Sequence, residues 1–146
     1  MLSSFGISVS TISLLLSLSL LYLSYYDLKL SNNKISKKIY KFAFSQILFT
    51  FLSFITLIIA YVISDFSLIN VYENSHTTKP LFYKISGAWG NHEGSLLLWI
   101  NILVLFSSLF LFLTKNNDKS FKILTLLFQN LLIVTFLIFL LTSDTL

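Results

Sequence analysis

The sequence predicts an all-α membrane protein, and three observations carry that prediction. Fifty-five per cent of its 146 residues are apolar and 11% are charged, more apolar surface than a water-soluble domain of this size can bury. The apolar residues collect in four uncharged runs, at about Phe5–Tyr26, Phe42–Ile63, Ser95–Thr114 and Ile123–Thr142. Each run is close to the ~20 residues a helix needs to cross a hydrocarbon core of ~30 Å. The runs also lack the period-two alternation of a barrel strand, and an open sheet edge cannot face lipid. The expected unit is a single transmembrane domain over residues 1–146, with four spans and a long outer loop over residues 64–94.

The chain opens on Met1–Ser10, which runs into the first span and carries no basic residue. It therefore lacks the basic start of a secretory signal and the Arg-rich pattern of a mitochondrial presequence. That absence fits a product made inside an organelle or bacterium, or a first helix that serves as its own insertion signal. All ten basic residues are lysine, cysteine is absent, and Phe, Ile, Lys, Asn and Tyr are used heavily. This bias points to an AT-rich coding sequence of the organelle type. Without cysteine the chain itself offers no disulfide, thiolate nucleophile or Cys-ligated metal.

The connection between the first two spans holds Lys29, Lys34, Lys37, Lys38 and Lys41 against Asp27 alone. The connection between the last two holds Lys115, Lys119 and Lys122 against Asp118. In the long loop, Lys79 and Lys84 face Asp65, Glu73 and Glu93. The positive-inside rule puts both short lysine loops on the cytoplasmic or matrix side. The N-terminus, the long loop and the C-terminus are then expected on the outer side. The lysines are read as orientation signals that also touch anionic lipid.

The spans carry Gln46, Asn101, Gln129, Asn130 and several Ser but no Asp, Glu, Lys or His at mid-membrane depth. Ion pumps and proton-coupled transporters keep such groups there for function, so this composition argues against one. The amides are read as interhelical hydrogen-bonding groups.

In the outer loop, Thr77 or Thr78 is expected to cap a short helix with Pro80 in its first turn. Leu81, Phe82, Ile85 and Trp89 then share one face, as in a helix lying at the membrane interface. Ser86-Gly87 or Gly90 ends it. Asn91 is expected to cap the third span, with Glu93 complementing the positive helix end. The candidate functional motif is Trp89, Gly90, His92, Glu93, Gly94, Ser95 and Trp99. No second His follows four residues after His92, so the zinc-protease pattern is absent. Trp89, His92 and Trp99 can share part of a face. His92 among aromatics suits either a haem contact or a structural hydrogen bond to a loop carbonyl. His76, beside Asn74 and Ser75, reads as solvated. No residue is assigned as catalytic, none is assigned to a cofactor, and no metal site is expected.

The run Ser64-Asp65-Phe66, Val71-Tyr72-Glu73-Asn74-Ser75 and Lys79-Pro80-Leu81-Phe82-Tyr83-Lys84-Ile85-Ser86-Gly87-Ala88-Trp89-Gly90-Asn91-His92-Glu93-Gly94-Ser95-Leu96-Leu97-Leu98-Trp99 resembles the N-terminal region of the CcmF family. The closing Phe136-Leu137-Ile138-Phe139-Leu140-Leu141-Thr142-Ser143 fits as well. CcmF is the large membrane subunit of the cytochrome c haem lyase in the Ccm maturation pathway. The resemblance implies a part in covalent haem attachment to apocytochrome c. It departs from the family in one respect: family members continue into a Trp-rich WWD motif and haem-ligating histidines, and no WWD run is present here. The resemblance thus implies the N-terminal piece of a split, mitochondrially encoded lyase. Haem is implied as cofactor of the assembled complex, with its ligands on partner chains, and ligation is not carried over to His76 or His92. Implied partners are the remaining CcmF fragment or fragments with the WWD motif, other Ccm subunits, apocytochrome c and membrane lipid; nucleic acid is not among them. The implied location is the mitochondrial inner membrane, with the bacterial inner membrane as the alternative. The competing reading, drawn from composition alone, is a structural accessory subunit of a respiratory complex.

Overall fold

A computed structural model of the protein describes residues 2–30, 34–114 and 118–142. Lys115, Ser143 and the expected position of the C-terminus fall outside these residues. Six helices follow one another: α1 (Leu2–Lys29), α2 (Lys37–Ile63), α3 (Ile69–Asn74), α4 (Leu81–Gly87), α5 (His92–Leu113) and α6 (Lys119–Thr142). Among the described residues there is no strand. Four helices, α1, α2, α5 and α6, are long and apolar enough to cross a membrane.

These four close into a ring in which α1 packs on α2 and α6, while α5 packs on α2 and α6. Their ends fix an up-down-up-down course. The end of α1 meets the start of α6, where the Lys119 ammonium donates to the Asp27 carbonyl at 2.8 Å and the Leu30 carbonyl at 3.3 Å. The Asp27 carboxylate lies 4.0 Å from the same ammonium and accepts from the Ser36 N–H at 3.0 Å. Asp27 and Lys119 therefore join three helix ends, a role beyond the orientation expected of the lysine loops.

The ring carries its polar groups inside and its largest apolar groups outside. Ser10, Ser13, Ser17, Gln46, Thr50, Ser53, Ser107, Ser108 and Asn130 are buried. Phe44, Phe51, Phe106, Phe128, Leu131 and Phe139 are exposed. In lipid this arrangement is favourable, because the tails solvate Phe and Leu while polar side chains find partners only between helices. Gln46 of α2 donates through Nε2 to Ser17 Oγ of α1 at 2.6 Å and to Asn130 Oδ1 of α6 at 3.1 Å. Ser10 and Ser53 bridge α1 and α2 at 2.7 Å. Gln46 and Asn130 thus bond across helices as expected. Asn101 instead donates to Leu97 of its own helix at 2.9 Å, and the Gln129 Oε1 is buried without a partner.

At the opposite end from Asp27, α2 stops at Ser64, which adopts φ 56° and ψ 50°. That left-handed turn lets the Ser64 N–H reach the Tyr61 carbonyl and the Asp65 N–H reach the Ala60 carbonyl, and so closes the helix end. The chain then forms α3, which the sequence did not announce, and α4. The structure corrects the expected start of α4. Pro80 is the residue preceding the helix and has no capping side chain, while Thr77 and Thr78 lie in an earlier turn. A residue before proline is forced away from helical angles, so Lys79 cannot be the first helical residue that a cap at Thr78 would require.

Candidate functional site

The candidate motif lies where α4 turns into α5. Asn91 has extended backbone angles and its Oδ1 accepts from the Gly94 N–H at 2.6 Å. This is the expected cap, and it satisfies one of the free donors at a helix start. Glu93 stands in the first turn, where a carboxylate complements the helix dipole. Gly94 is buried, and a Cβ there would lie 1.8 Å from the Ala88 carbonyl oxygen. Only glycine fits between the α4–α5 turn and α5.

Asn91, half-buried, is also the hub of a polar cluster that pins the loop onto the bundle. Its Nδ2 donates to the Tyr61 hydroxyl at 2.6 Å, to Asn70 Oδ1 at 2.9 Å and to the Gly87 carbonyl at 3.1 Å. The Tyr61 hydroxyl donates to Asn70 Oδ1 at 2.6 Å. Asn70 Nδ2 donates to Asn91 Oδ1 and to Glu93 Oε2, both at 3.1 Å. Tyr61 and Asn70 are buried. Four segments therefore meet at one knot: the end of α2, α3, the end of α4 and the start of α5. Apolar packing lies beneath it, where Leu68, Val71 and Ala88 join Tyr61, Leu97 and Ile100 in the core. Gly87 lets α4 approach the Tyr61 ring, since a Cβ there would stand 3.1 Å from Cε1.

The motif, taken with the Asn91 cap inside it, divides into two sets. Asn91, Glu93 and Gly94 face the knot. Trp89, Gly90, His92 and Trp99 are exposed, with Trp89 at 41% and Trp99 at 60%. Ser95 is half-buried and bonds the His92 carbonyl at 2.8 Å. Trp89 sits in the turn before α5 and not on the helix with His92 and Trp99. Leu81, Phe82 and Tyr83 extend this exposed aromatic surface, and α4 has no buried residue. The turn below it is fixed by Lys84 Nζ, which donates to Ser64 Oγ at 2.7 Å. Asp65 accepts from the Ser67 hydroxyl at 2.6 Å and the Ser67 N–H at 3.1 Å. These bonds hold the Asp65 carboxyl below its ordinary pKa.

Haem is the group the resemblance raises, and these residues do not form a pocket for it. His76 and His92 are both exposed, whereas a haem iron ligand needs an enclosed, largely apolar surround for the porphyrin. Two grooves on the bundle, one between α1 and α2 and one between α2 and α5, are lined by no histidine. No group of three or more His, Cys, Asp or Glu is placed to hold a metal ion among the described residues.

Sequence reasoning missed Tyr61 and Asn70. Tyr61 falls within the second expected span and Asn70 within the expected outer loop, and neither is singled out. The available signal was the density of amides, Asn70, Asn74 and Asn91, around a loop that must fold back on the bundle.

No family model matches the chain. The cytochrome c-type biogenesis protein CycK of Bradyrhizobium diazoefficiens is 47% identical over 102 residues, covering 70% of this chain and 16% of that protein. CycK of Rhizobium meliloti is 52% identical over 93 residues, covering 63% of this chain and 14% of that protein. A solved structure of the cytochrome c heme lyase CcmF superposes with a TM-score of 0.73 at 28% identity, covering 93% of this chain and 22% of that one. The chain therefore spans between one-seventh and one-sixth of the curated relatives' length.

Proposed function

This multi-pass membrane chain is a homologue of one segment of the CcmF/CycK-type cytochrome c-type biogenesis proteins, and we propose that it acts as the N-terminal subunit of a split cytochrome c haem lyase. The observation that carries the reading is the knot at Asn91. It ties Asn91 and Glu93, within the Trp89–Trp99 run, to Tyr61 and Asn70 and leaves Trp89, His92 and Trp99 presented outward. A frame with an exposed aromatic and imidazole edge suits a supporting surface for a reaction whose chemistry is supplied by a cofactor and a substrate peptide.

In this reading the assembled lyase joins haem vinyl groups to the thiols of a Cys-x-x-Cys-His segment of apocytochrome c. The chain's share is scaffolding and contacts at the outer loop, and the haem ligands belong to WWD-containing sequence outside it. Other Ccm subunits and apocytochrome c are its partners, and it is not catalytic alone. The closed ring of four helices supports a separately inserted subunit, because helices in lipid insert first and associate afterwards. The lysine-only, organelle-like composition supports the mitochondrial inner membrane; the bacterial kinship of the relatives favours the bacterial inner membrane as the alternative. The lysine loops lie inside and the Asn91 end outside by the positive-inside rule.

A mild-detergent pull-down of the chain tests this, with haem absorbance and mass spectrometry on the eluate. Recovery of a WWD-containing membrane protein with bound haem is the expected result. Recovery of respiratory subunits, with neither haem nor any CcmF-type partner, overturns it.

A further inference from the structure

We infer that the groove between α2 and α5 is occupied by a further transmembrane helix that presents a hydrogen-bond donor to Asn101. The inference rests on the CcmF-type reading above and specifies where the rest of that protein docks. The groove has a volume of about 270 Å³ and is walled by Ile47, Phe51 and Phe54 of α2 and Leu98 and Leu105 of α5. Asn101 is its most polar lining residue. It stands nine residues into α5, about 14 Å along the axis at ~1.5 Å per residue, which is close to the middle of the bilayer.

The Asn101 carboxamide is half satisfied. Its Nδ2 bonds the Leu97 carbonyl at 2.9 Å, and its Oδ1 accepts from no described residue. The other polar group of the groove, the Thr50 hydroxyl, already bonds the carbonyls of Gln46 and Ile47 at 2.8 and 3.1 Å. A lipid tail cannot donate to an open carboxamide oxygen, and water is scarce at that depth. A neighbouring helix with Ser, Thr, Asn, Gln or a similar donor can, and such contacts hold membrane helices together.

The second groove supplies the contrast. It lies between α1 and α2, has a volume of about 660 Å³, and is lined by Leu15, Leu18 and Phe42 with Ser19, Tyr22 and Lys38. Ser19 bonds its own helix at Leu15, and Tyr22 and Lys38 belong to the lysine end, where headgroups and water reach. Lipid alone satisfies that groove; it does not satisfy the one at Asn101. The source of the helix is CcmF-type sequence outside residues 1–146, since the bundle matches only 22% of the solved lyase.

The test places a photo-reactive p-benzoylphenylalanine at Ile102, which lines the Asn101 groove, and separately at Leu18 in the other groove. Each full-length chain is irradiated in its native membrane, and the cross-linked peptides are sequenced. The Ile102 probe is expected to join a transmembrane peptide of CcmF-type sequence from outside residues 1–146, and the Leu18 probe only lipid. Asn101→Leu is expected to lower the Ile102 yield by about fivefold with helix content and membrane insertion unchanged. Equal yields from both probes, or an Ile102 adduct made only with lipid or with a second copy of this chain, overturn the inference. If a CcmF-type partner co-purifies and still escapes the Ile102 probe, the docking site falls and the lyase reading stands. If no CcmF-type sequence accompanies the chain, both fall.

Discussion

The Asn91 carboxamide donates to the Tyr61 hydroxyl at 2.6 Å across thirty residues of sequence. The same side chain caps α5. One amide thus couples the end of the second long helix to the start of the third.

Tyr61→Phe tests that coupling. The ring and its packing against Gly87 survive, while Asn70 and Asn91 each lose a partner at a buried position. Both amides keep their other bonds, to each other, to the Gly87 carbonyl and to Glu93, so the loss is that of the hydrogen bonds themselves, about 0.5–1.5 kcal/mol. The expected outcome is a lower thermal midpoint in a lipid nanodisc, with faster amide exchange in residues 65–91 and unchanged exchange near Gln46.

Gly94→Ala should be more damaging than its chemistry suggests. The added methyl meets a backbone carbonyl at 1.8 Å, so α5 or the α4–α5 turn must move. Overpacking of this kind costs about 1–3 kcal/mol or more. Gly6→Ala is the control, because its nearest neighbour is the Thr56 methyl at 3.7 Å. Parallel unfolding curves for the two variants would contradict this account.

Gln46→Leu removes the bridge between α1, α2 and α6. Polar contacts between membrane helices contribute about 0.6–2 kcal/mol. A double-mutant cycle with Asn130→Leu should return a coupling energy within that range, and a value near zero would mean the two amides act independently.

His92→Ala leaves the knot intact, because His92 is exposed and its side chain is not among the cluster's partners. Insertion and thermal stability should match the parent chain. Holocytochrome c, measured by haem stain, should fall; full holocytochrome levels in this variant would remove His92 from the proposed function.

Acidification should loosen the turn after α2. Asp65 is held below its ordinary pKa first by the Ser67 hydroxyl and then by the Ser67 N–H. A carboxyl with a depressed folded-state pKa contributes fully above its unfolded value, and the contribution disappears as pH falls through the folded value. Protection of the amides at 65–68, corrected for the intrinsic pH dependence of exchange, should therefore fall below the ordinary Asp range in the parent chain and stay level in Asp65→Asn.

The four long helices were legible because lipid allows few alternatives to an uncharged run of about twenty residues. The α5 cap was legible for a similar reason: Asn91 followed by Glu93 at the head of an apolar run is a local signal. The knot was not. Tyr61 and Asn70 are nine residues apart and Asn70 and Asn91 twenty-one, and no local pattern marks a contact that forms only after two helices are placed side by side. The misplaced start of α4 has a different origin, since Thr before Pro looks like a cap until the restriction on Lys79 is applied. Asn101 shows the limit for single polar groups. Mid-span depth says it needs a partner but not whether that partner is in the same bundle.

The aromatic helix α4 packs on α2 and buries none of its own residues. The bundle holds α4 through Gly87 and Lys84, while its Leu81, Phe82 and Tyr83 face outward, a surface suited to the boundary between water and lipid. A detergent micelle replaces that flat boundary with a curved, fluctuating one. The same polypeptide would then display Phe82, Tyr83 and Trp89 at altered heights above the bundle. Binding measured on solubilised protein and binding measured in a bilayer would then, for this surface, be measurements on two differently shaped objects.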